Sequence, residues 1–156
     1  MKYYPVGLDI KDKCVVVVGA GPVAERKVRM LRAFGADVRV VAPHATTYLE
    51  RLALAGRICW FKRGYRSADM KGARLAIAAT SEREVNEKVS RDAKKKGIWA
   101  NVVDQALACE FIAPAVIKRQ GLVVSVSTDA KNPPLSKEFK EFLEERIDEF
   151  FSGRNK

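Results

Sequence analysis

The stretch 14-CVVVVGAGPVAERK-27 joins a run of β-branched residues to a glycine-rich turn and the start of a helix. Four consecutive valines predict a buried strand. Gly19, Gly21 and Ala24 match the G-x-G-x-x-G/A pattern, which binds a dinucleotide when it lies between a strand and a helix. Gly19 permits the tight turn, Gly21 lets a pyrophosphate approach the backbone, and Ala24 allows close contact between helix and strand. The predicted nucleotide-binding residues of this stretch are Gly19, Gly21, Pro22, Val23 and Ala24.

Beyond this stretch, strands and helices alternate as far as residue 104, which predicts a parallel sheet covered on both faces. The further predicted strands are DVRVVAP at 37–43, RICWF at 57–61, ARLAIAAT at 73–80 and IWANVVD at 98–104. The predicted helices cover 22–34, 47–56 and 82–96.

Two local details of these helices are also predicted. Ser81 and Glu84 form the S-x-x-E pattern of a capping box, which marks the start of the third helix. Helical spacing in the first helix predicts one face formed by Val23, Lys27, Met30, Leu31 and Phe34.

The pattern changes after residue 104. Two strand-like runs within 110–129 are separated by KRQG, which predicts a hairpin, and an apolar stripe follows on a helix at 135–151. So much aromatic surface must pack either on its own domain or on a second copy of the chain. We therefore predict an α/β fold: a Rossmann-like parallel sheet in residues 1–112, then a hairpin and helical dimerisation arm in residues 113–156.

Composition restricts the function classes. The formal net charge of +10 would attract a nucleic acid, an anionic membrane surface or a polyanionic small molecule. The basic residues are dispersed, which disfavours a nucleic-acid reader. Three separated cysteines and the single His44 predict neither disulfides nor a His/Cys metal site. We see no signal segment or membrane-length apolar run, so we expect a cytoplasmic protein.

The ribose end of the predicted site lacks a common feature. About 20 residues after the first glycine, an NAD site usually carries an acid, whereas here the second strand ends in Pro43 and His44. Asp37 lies at the other end of that strand. Ribose contacts would come from the Pro43 and His44 backbone or the His44 side chain. Binding of a 2′-phosphate by Arg39 or Arg51 stays an open alternative. Spacing alone therefore does not separate NAD from NADP.

Four motifs in sequence order are similar to those of the precorrin-2 dehydrogenase family of siroheme synthesis. They are V-G-x-G-x-V-A-x-R-K at 18–27, A-A-T at 78–80, N-V-V-D at 101–104 and F-I-x-P-A at 111–115. The resemblance covers nearly the whole chain. It implies NAD-dependent oxidation of precorrin-2 to sirohydrochlorin by a homodimer whose hairpins and helical arms interlock. Some members also insert ferrous iron; here we expect dehydrogenation without strong iron insertion.

The resemblance also assigns residues. Asp104 takes the position of the family's essential carboxylate, and Thr80 and Asn101 belong to the motifs assigned to the cofactor. Residues 127–132 take the position of a loop lining the tetrapyrrole pocket, although this chain has TDAKNPP where the family is often glycine-rich. Cationic side chains near this loop would attract the substrate's carboxylates. The predicted substrate-binding residues are Ser127, Thr128, Lys131, Lys118 and Arg119.

Asp104 follows an apolar strand, and ligands of such sheets lie beyond the carboxyl ends of the strands. Oxidation removes a hydride and a proton, so this carboxylate is a candidate general base; the simpler interpretation is a cap for the following turn. Two other functions stay open at this point: an NAD-binding regulatory module without catalysis, and the disfavoured nucleic-acid binder.

Overall fold

The computed structural model describes residues 3–103, 105 and 109–154. The chain divides into two compact units. The sheet unit is Pro5–Phe111, and the hairpin unit begins at Ile112 and includes Tyr3 and Tyr4. Within the described residues, the helices are all too short or too polar to cross a membrane.

The sheet unit contains five parallel strands in the order β3-β2-β1-β4-β5. The strands are β1 Cys14–Val18, β2 Asp37–Val41, β3 Cys59–Phe61, β4 Leu75–Ala78 and β5 Trp99–Val102. The helices are α1 Pro22–Ala33, α2 Thr47–Leu54 and α3 Arg83–Lys95, with a short 3-10 turn at Ser67–Met70. The predicted Rossmann-like α/β sheet is confirmed.

Alternation of side chains along β1 produces two core layers. Val15 and Val17 pack with α1 and α2, while Val16 and Val18 pack with α3 on the other face. All four valines are almost completely buried. A strand covered on both faces has no polar side to alternate with, which explains the continuous valine run.

The predicted face of α1 was partly wrong. The buried residues are Ala24, Val28 and Leu31, whereas Met30 is 40% exposed and Lys27 is half-buried. The small Ala24 side chain lets the first turn of α1 approach the sheet closely, so this turn of the helix is centred on an alanine. The predicted face included Lys27 and omitted Ala24 and Val28, so it was displaced by one position from the buried face.

The predicted capping box of α3 was also wrong. Neither Ser81 nor Glu84 supplies a side-chain cap, and the residue before α3 is Glu82. Instead, the Thr80 hydroxyl accepts a hydrogen bond from the Glu82 N–H at 3.1 Å. The carboxamide of buried Asn86 accepts from the Thr80 N–H at 3.1 Å and donates to the Thr80 carbonyl at 3.0 Å. A threonine at the strand end therefore organises the turn that the serine was expected to organise.

The hairpin unit contains β6 Ala115–Arg119 paired antiparallel with β7 Leu122–Val126, followed by α4 Pro133–Arg154. The two strands are joined by Gln120 and Gly121, which have φ angles of 43° and 84°. Two successive positive φ values give the tight turn that suits a two-residue hairpin. The Asn132 side chain accepts from the Leu135 N–H at 3.1 Å and so caps the start of α4.

Candidate functional site

The carboxyl ends of β1, β2, β4 and β5 meet at one edge of the sheet. Val18, the last residue of β1, pairs with Val41 of β2 on one side and with Ala78 of β4 on the other. The chain runs outward from β1 through β2 to β3 and in the opposite direction through β4 to β5. Sheets of this type bind ligands where the strand order reverses, and the glycine turn lies there.

Glycine is required at position 19, because neighbouring backbone occupies the space that a side chain would need. The φ angle of Gly19 is 103°, and its N–H donates to the Val41 carbonyl at 2.9 Å. A Cβ atom at this position would lie 2.3 Å from the Ala79 carbonyl oxygen. The turn is thus pressed against the loop that leaves β4, and no side chain fits between them.

Gly21 faces open space instead. It is the N-cap of α1 with an ordinary φ of −78°, and a Cβ atom here would meet nothing within 4 Å. Pro22 and Val23 form the first turn of α1, above the buried Ala24. An open approach to the N-terminus of a helix suits the pyrophosphate of a dinucleotide, because the first-turn amides and the helix dipole favour negative charge. The glycine turn therefore fits the predicted cofactor.

The loop after β2 lies beside the glycine turn. The Thr46 N–H donates to the Ala20 carbonyl at 3.1 Å, and Pro43 and His44 are exposed in the same loop. The contact of Pro43 and His44 with a ribose stays a prediction. Arg39 is engaged elsewhere, because Nη1 of its guanidinium donates to the backbone carbonyls of Asp69 and Lys71 at 2.9 and 3.1 Å.

Sequence reasoning missed a polar cluster at this loop. The Thr46 hydroxyl donates to the Glu25 carboxylate at 2.6 Å, and Arg29 donates to the other oxygen of that carboxylate at 2.7 and 3.0 Å. The Arg29 guanidinium also lies 3.3 Å from the centre of the Tyr48 ring. Thr46 before a helical pattern is recognisable as an N-cap, but no sequence signal links it to Glu25, 21 positions earlier.

The predicted cofactor residues of β4 and β5 have structural partners. Thr80 organises the start of α3, as described above. Asn101 is 7% exposed, and its amide donates to the Phe111 carbonyl at 3.0 Å. These bonds hold the two side chains at the edge where the strands end. Their contact with a cofactor stays a prediction.

Residues 109–111 cover the outer edge of β5. The Cys109 sulfur accepts from the Val102 N–H at 3.1 Å. Glu110 makes two bonds to Ala100: its N–H donates to the Ala100 carbonyl, and its carboxylate accepts from the Ala100 N–H, both at 3.0 Å. The returning chain is thereby fastened along the last residues of β5.

Asp104, the predicted catalytic residue, lies outside the described residues. Val103, its neighbour, donates from its N–H to the Ala78 carbonyl at 2.9 Å, so the chain leaves β5 at the same edge as the glycine turn. The side-chain amine of Lys27 forms no hydrogen bond or ion pair with any part of the chain that the structure describes. Burial, and secondarily the charge of Arg26, lowers the pKa of the Lys27 amine.

The predicted substrate residues belong to the hairpin unit. Thr128 accepts from the Asn132 N–H at 3.1 Å and lies 3.0 Å from the Ser136 hydroxyl. Ser127 accepts from the Asp129 N–H at 3.2 Å, while Lys131 is exposed in the same turn.

The two cations of β6 lie on exposed positions of the same unit. Lys118 is exposed, and Arg119 forms an exposed ion pair with Asp148 at 3.4 Å. The structure thus places Ser127, Thr128 and Lys131 in one turn and the two cations on the hairpin. Their binding of substrate stays a prediction.

Comparisons with known proteins agree with this architecture. A family model described as "Putative NAD(P)-binding" matches residues 6–115. Siroheme synthase 1 of Serratia proteamaculans is 40% identical over 144 residues, which are 92% of this chain and 30% of that protein. Siroheme synthase of Chromobacterium violaceum is 40% identical over 147 residues, 94% of this chain and 31% of that protein.

A solved structure is similar over almost all of the chain. It is described as SirC, precorrin-2 dehydrogenase, and matches with a TM-score of 0.80 at 28% identity. The match covers 92% of this chain and 71% of that one. By contrast, the chain spans about a third of the length of the siroheme synthases that it matches.

Proposed function

The chain belongs to the NAD(P)-binding family whose model matches residues 6–115, and we propose that it oxidises precorrin-2 to sirohydrochlorin with NAD. The observation that carries the proposal is the likeness to SirC over both units of the chain. The open glycine turn at the strand-order reversal supports it independently, because this turn suits a dinucleotide. The predicted division is part of the proposal: residues 1–112 bind the cofactor and residues 113–156 form the dimerisation arm.

The cofactor would be held mainly by backbone. Gly19 and Gly21 leave room for the pyrophosphate, and the loop at Pro43 and His44 lies beside them for the ribose. When bound, NAD⁺ accepts a hydride from the tetrapyrrole. The neighbouring strand ends, with Thr80 and Asn101 already fixed by hydrogen bonds, form the wall at which the nicotinamide end would be positioned.

The substrate would be attracted by charge. Precorrin-2 carries eight carboxylates, and the protein's net charge of +10 favours the approach of such an anion. Lys118, Arg119 and Lys131 are the proposed contacts for these carboxylates, and Ser127 and Thr128 the proposed neutral ones. Part of the charge on β6 is already balanced, since Arg119 pairs with Asp148.

Asp104 would accept the proton. Loss of a hydride to NAD⁺ and of a proton to a base together remove the two electrons and two hydrogens that separate precorrin-2 from sirohydrochlorin. Asp104 follows Val103 in sequence, and ligands of such sheets lie beyond the carboxyl ends of the strands, so its carboxylate would take the proton and then release it to solvent. Iron insertion is a separate step with ferrous iron as substrate, and we propose no strong activity for it.

The experiment mixes the protein with NAD⁺ and precorrin-2 and follows the sirohydrochlorin spectrum. Asp104→Asn preserves a capping side chain but cannot accept a proton, so turnover should fall by at least about 100-fold while NAD⁺ binding persists. Asp37→Asn is the matched control, because Asp37 is exposed at the amino end of β2, away from the carboxyl ends of the strands where the site is proposed.

Near-normal turnover by Asp104→Asn would reduce Asp104 to a cap or a positioning group. NAD⁺ binding without any turnover by the unaltered protein would favour the regulatory module instead.

A further inference from the structure

The charge of the proposed ribose site comes from an unexpected residue. The loop after β2 contains no acid between Ala42 and Thr46, which is where an NAD site usually carries one. The Glu25 carboxylate reaches this loop from the first turns of α1 and accepts from the Thr46 hydroxyl at 2.6 Å. The same loop is bonded to the glycine turn through the Thr46 N–H and the Ala20 carbonyl. Glu25 therefore brings a negative charge between the two segments that would flank the ribose.

This carboxylate is fixed and ionised. Its side chain is 19% exposed, and Arg29 binds its second oxygen with both Nε and Nη2. The hydrogen bond from Thr46, followed by the one from Arg29, lowers the pKa of the Glu25 carboxyl. Because a lowered pKa favours the charged form of an acid, the Glu25 carboxylate is ionised at neutral pH.

Two neighbouring cations are already engaged, whereas Arg51 of α2 is exposed. Arg29 donates to Glu25 and stacks on Tyr48, and Arg39 is bonded to backbone carbonyls away from the loop. In this ion pair the charges of Glu25 and Arg29 balance each other, but the two groups are placed differently, because Arg29 binds Oε1 whereas Oε2 accepts from Thr46 of the loop. A 2′-phosphate at the ribose would therefore meet a carboxylate oxygen, and two such anionic groups repel each other most strongly where water is partly excluded.

We propose that Glu25 replaces the missing acid of β2 and makes the site select a dinucleotide with a free 2′-hydroxyl over one with a 2′-phosphate. The inference rests on the proposed function, in that the glycine turn must hold the dinucleotide. It goes further by naming the side chain that determines which of the two nicotinamide dinucleotides binds.

The test is calorimetric binding of NAD⁺ and of NADP⁺ to the full chain. The unaltered protein should bind NAD⁺ at least about tenfold more tightly. Glu25→Gln keeps an acceptor for Thr46 but removes the charge, so the preference should shrink by about tenfold, mainly through tighter NADP⁺ binding. Glu87→Gln is the matched control, because Glu87 forms the same kind of i,i+4 pair with Arg83 on α3. Its preference should equal that of the unaltered protein.

A second variant separates the effect of the Glu25 charge from an effect on folding. Arg29→Met keeps the Glu25 anion and removes the cation that neutralises it, so the preference for NAD⁺ should be retained or increased. An unaltered protein that prefers NADP⁺, as expected if Arg51 held a 2′-phosphate, would overturn the inference. So would an unchanged preference in Glu25→Gln with NAD⁺ still bound, and that result would leave the proposed function standing. Failure of the unaltered protein to bind either nucleotide would overturn both.

Discussion

The two units of the chain place their apolar side chains differently. In the sheet unit, the valines of β1 are fully covered by helices on both faces. In the hairpin unit, α4 leaves Phe139 and Phe142 about half exposed, with the two rings 6.0 Å apart. An apolar groove of about 450 Å³ runs between β7 and α4 beside them. The sheet unit completes its own core, whereas the hairpin unit has apolar surface to bury against something else.

One tight turn from each unit shows a second difference. The sheet unit uses glycine at Gly19, where the neighbouring backbone would clash with any side chain. The hairpin unit uses Asp129 and Ala130 at φ angles of 60° and 61°. A non-glycine residue in this conformation is strained by about 1–2 kcal/mol. Glycine is therefore required at position 19 by the surrounding backbone, whereas the turn at Asp129 and Ala130 tolerates a strained backbone conformation.

The largest expected effect comes from adding a side chain at Gly19, where neighbouring backbone already fills the space. Gly19→Ala places a Cβ atom 2.3 Å from the Ala79 carbonyl oxygen, at a φ angle that alanine rarely adopts. The free energy of unfolding should fall by at least about 3 kcal/mol, because backbone atoms on both sides must move. Urea unfolding monitored by circular dichroism measures the change.

The control for that variant is Gly21→Ala. Its Cβ would enter open space at an ordinary φ angle, so stability should be nearly unchanged while NAD⁺ binding weakens. Equal stability losses in the two variants would refute the distinction between a filled and an open glycine position.

A second prediction concerns the exposed aromatic surface. We expect a homodimer through α4 and the hairpin, and the double substitution of Phe139 and Phe142 by serine should convert it to a monomer. Burying one such ring contributes about 1.5–3 kcal/mol, so losing two should weaken association at least about 100-fold. Sedimentation velocity over a range of protein concentrations measures this.

Leu54→Ser is the matched control, since Leu54 is 89% exposed on α2 of the sheet unit and should not affect association. An unaltered protein that stays monomeric at high concentration would contradict the assignment of α4 and the hairpin as a dimerisation arm.

The smallest expected effect is relief of strain in the hairpin unit. Ala130→Gly removes an unfavourable Cβ contact but increases the entropy of the unfolded chain, so a net gain of only about 0.5 kcal/mol is expected. Gly121→Ala is the opposite change, because it introduces a Cβ atom at a φ of 84°. The space around this position is open, so the variant should lose stability through backbone strain alone. Thermal unfolding of both variants checks the signs, and a loss in Ala130→Gly would mean that its conformation is not strained.

Local signals in the sequence predicted most of the fold. Continuous β-branched runs predicted the buried strands, Pro22 marked the start of α1, and KRQG the hairpin turn. The helix face of α1 was displaced because its contact with the sheet is centred on the small Ala24, which hydrophobic counting ignores. The start of α3 was misassigned because Thr80 is fixed by Asn86, a contact that only the folded turn creates.

The site was predictable to the extent that it is made of backbone. The glycine pattern is visible in the sequence because the turn sterically requires it. The structure confirms this turn at the edge of the sheet. The pairing of Glu25 with Thr46 joins α1 to the loop after β2 and depends on how that loop returns to α1. No spacing rule covers such a contact, and for that reason the ribose end looked as if it had no acid.

The fastening of residues 109–111 along β5 has a consequence for solubility. β5 is an outer strand, and unpaired amides and carbonyls on an outer strand are a template on which other chains can extend the sheet. Here one carboxylate and one thiol replace part of a sixth strand: Glu110 occupies both backbone groups of Ala100, and Cys109 accepts from Val102. Because these partners follow β5 in the chain, that edge is closed to intermolecular pairing only after residues 109–111 have docked. A nascent or partly unfolded molecule therefore exposes β5 as a template for intermolecular pairing until that docking occurs.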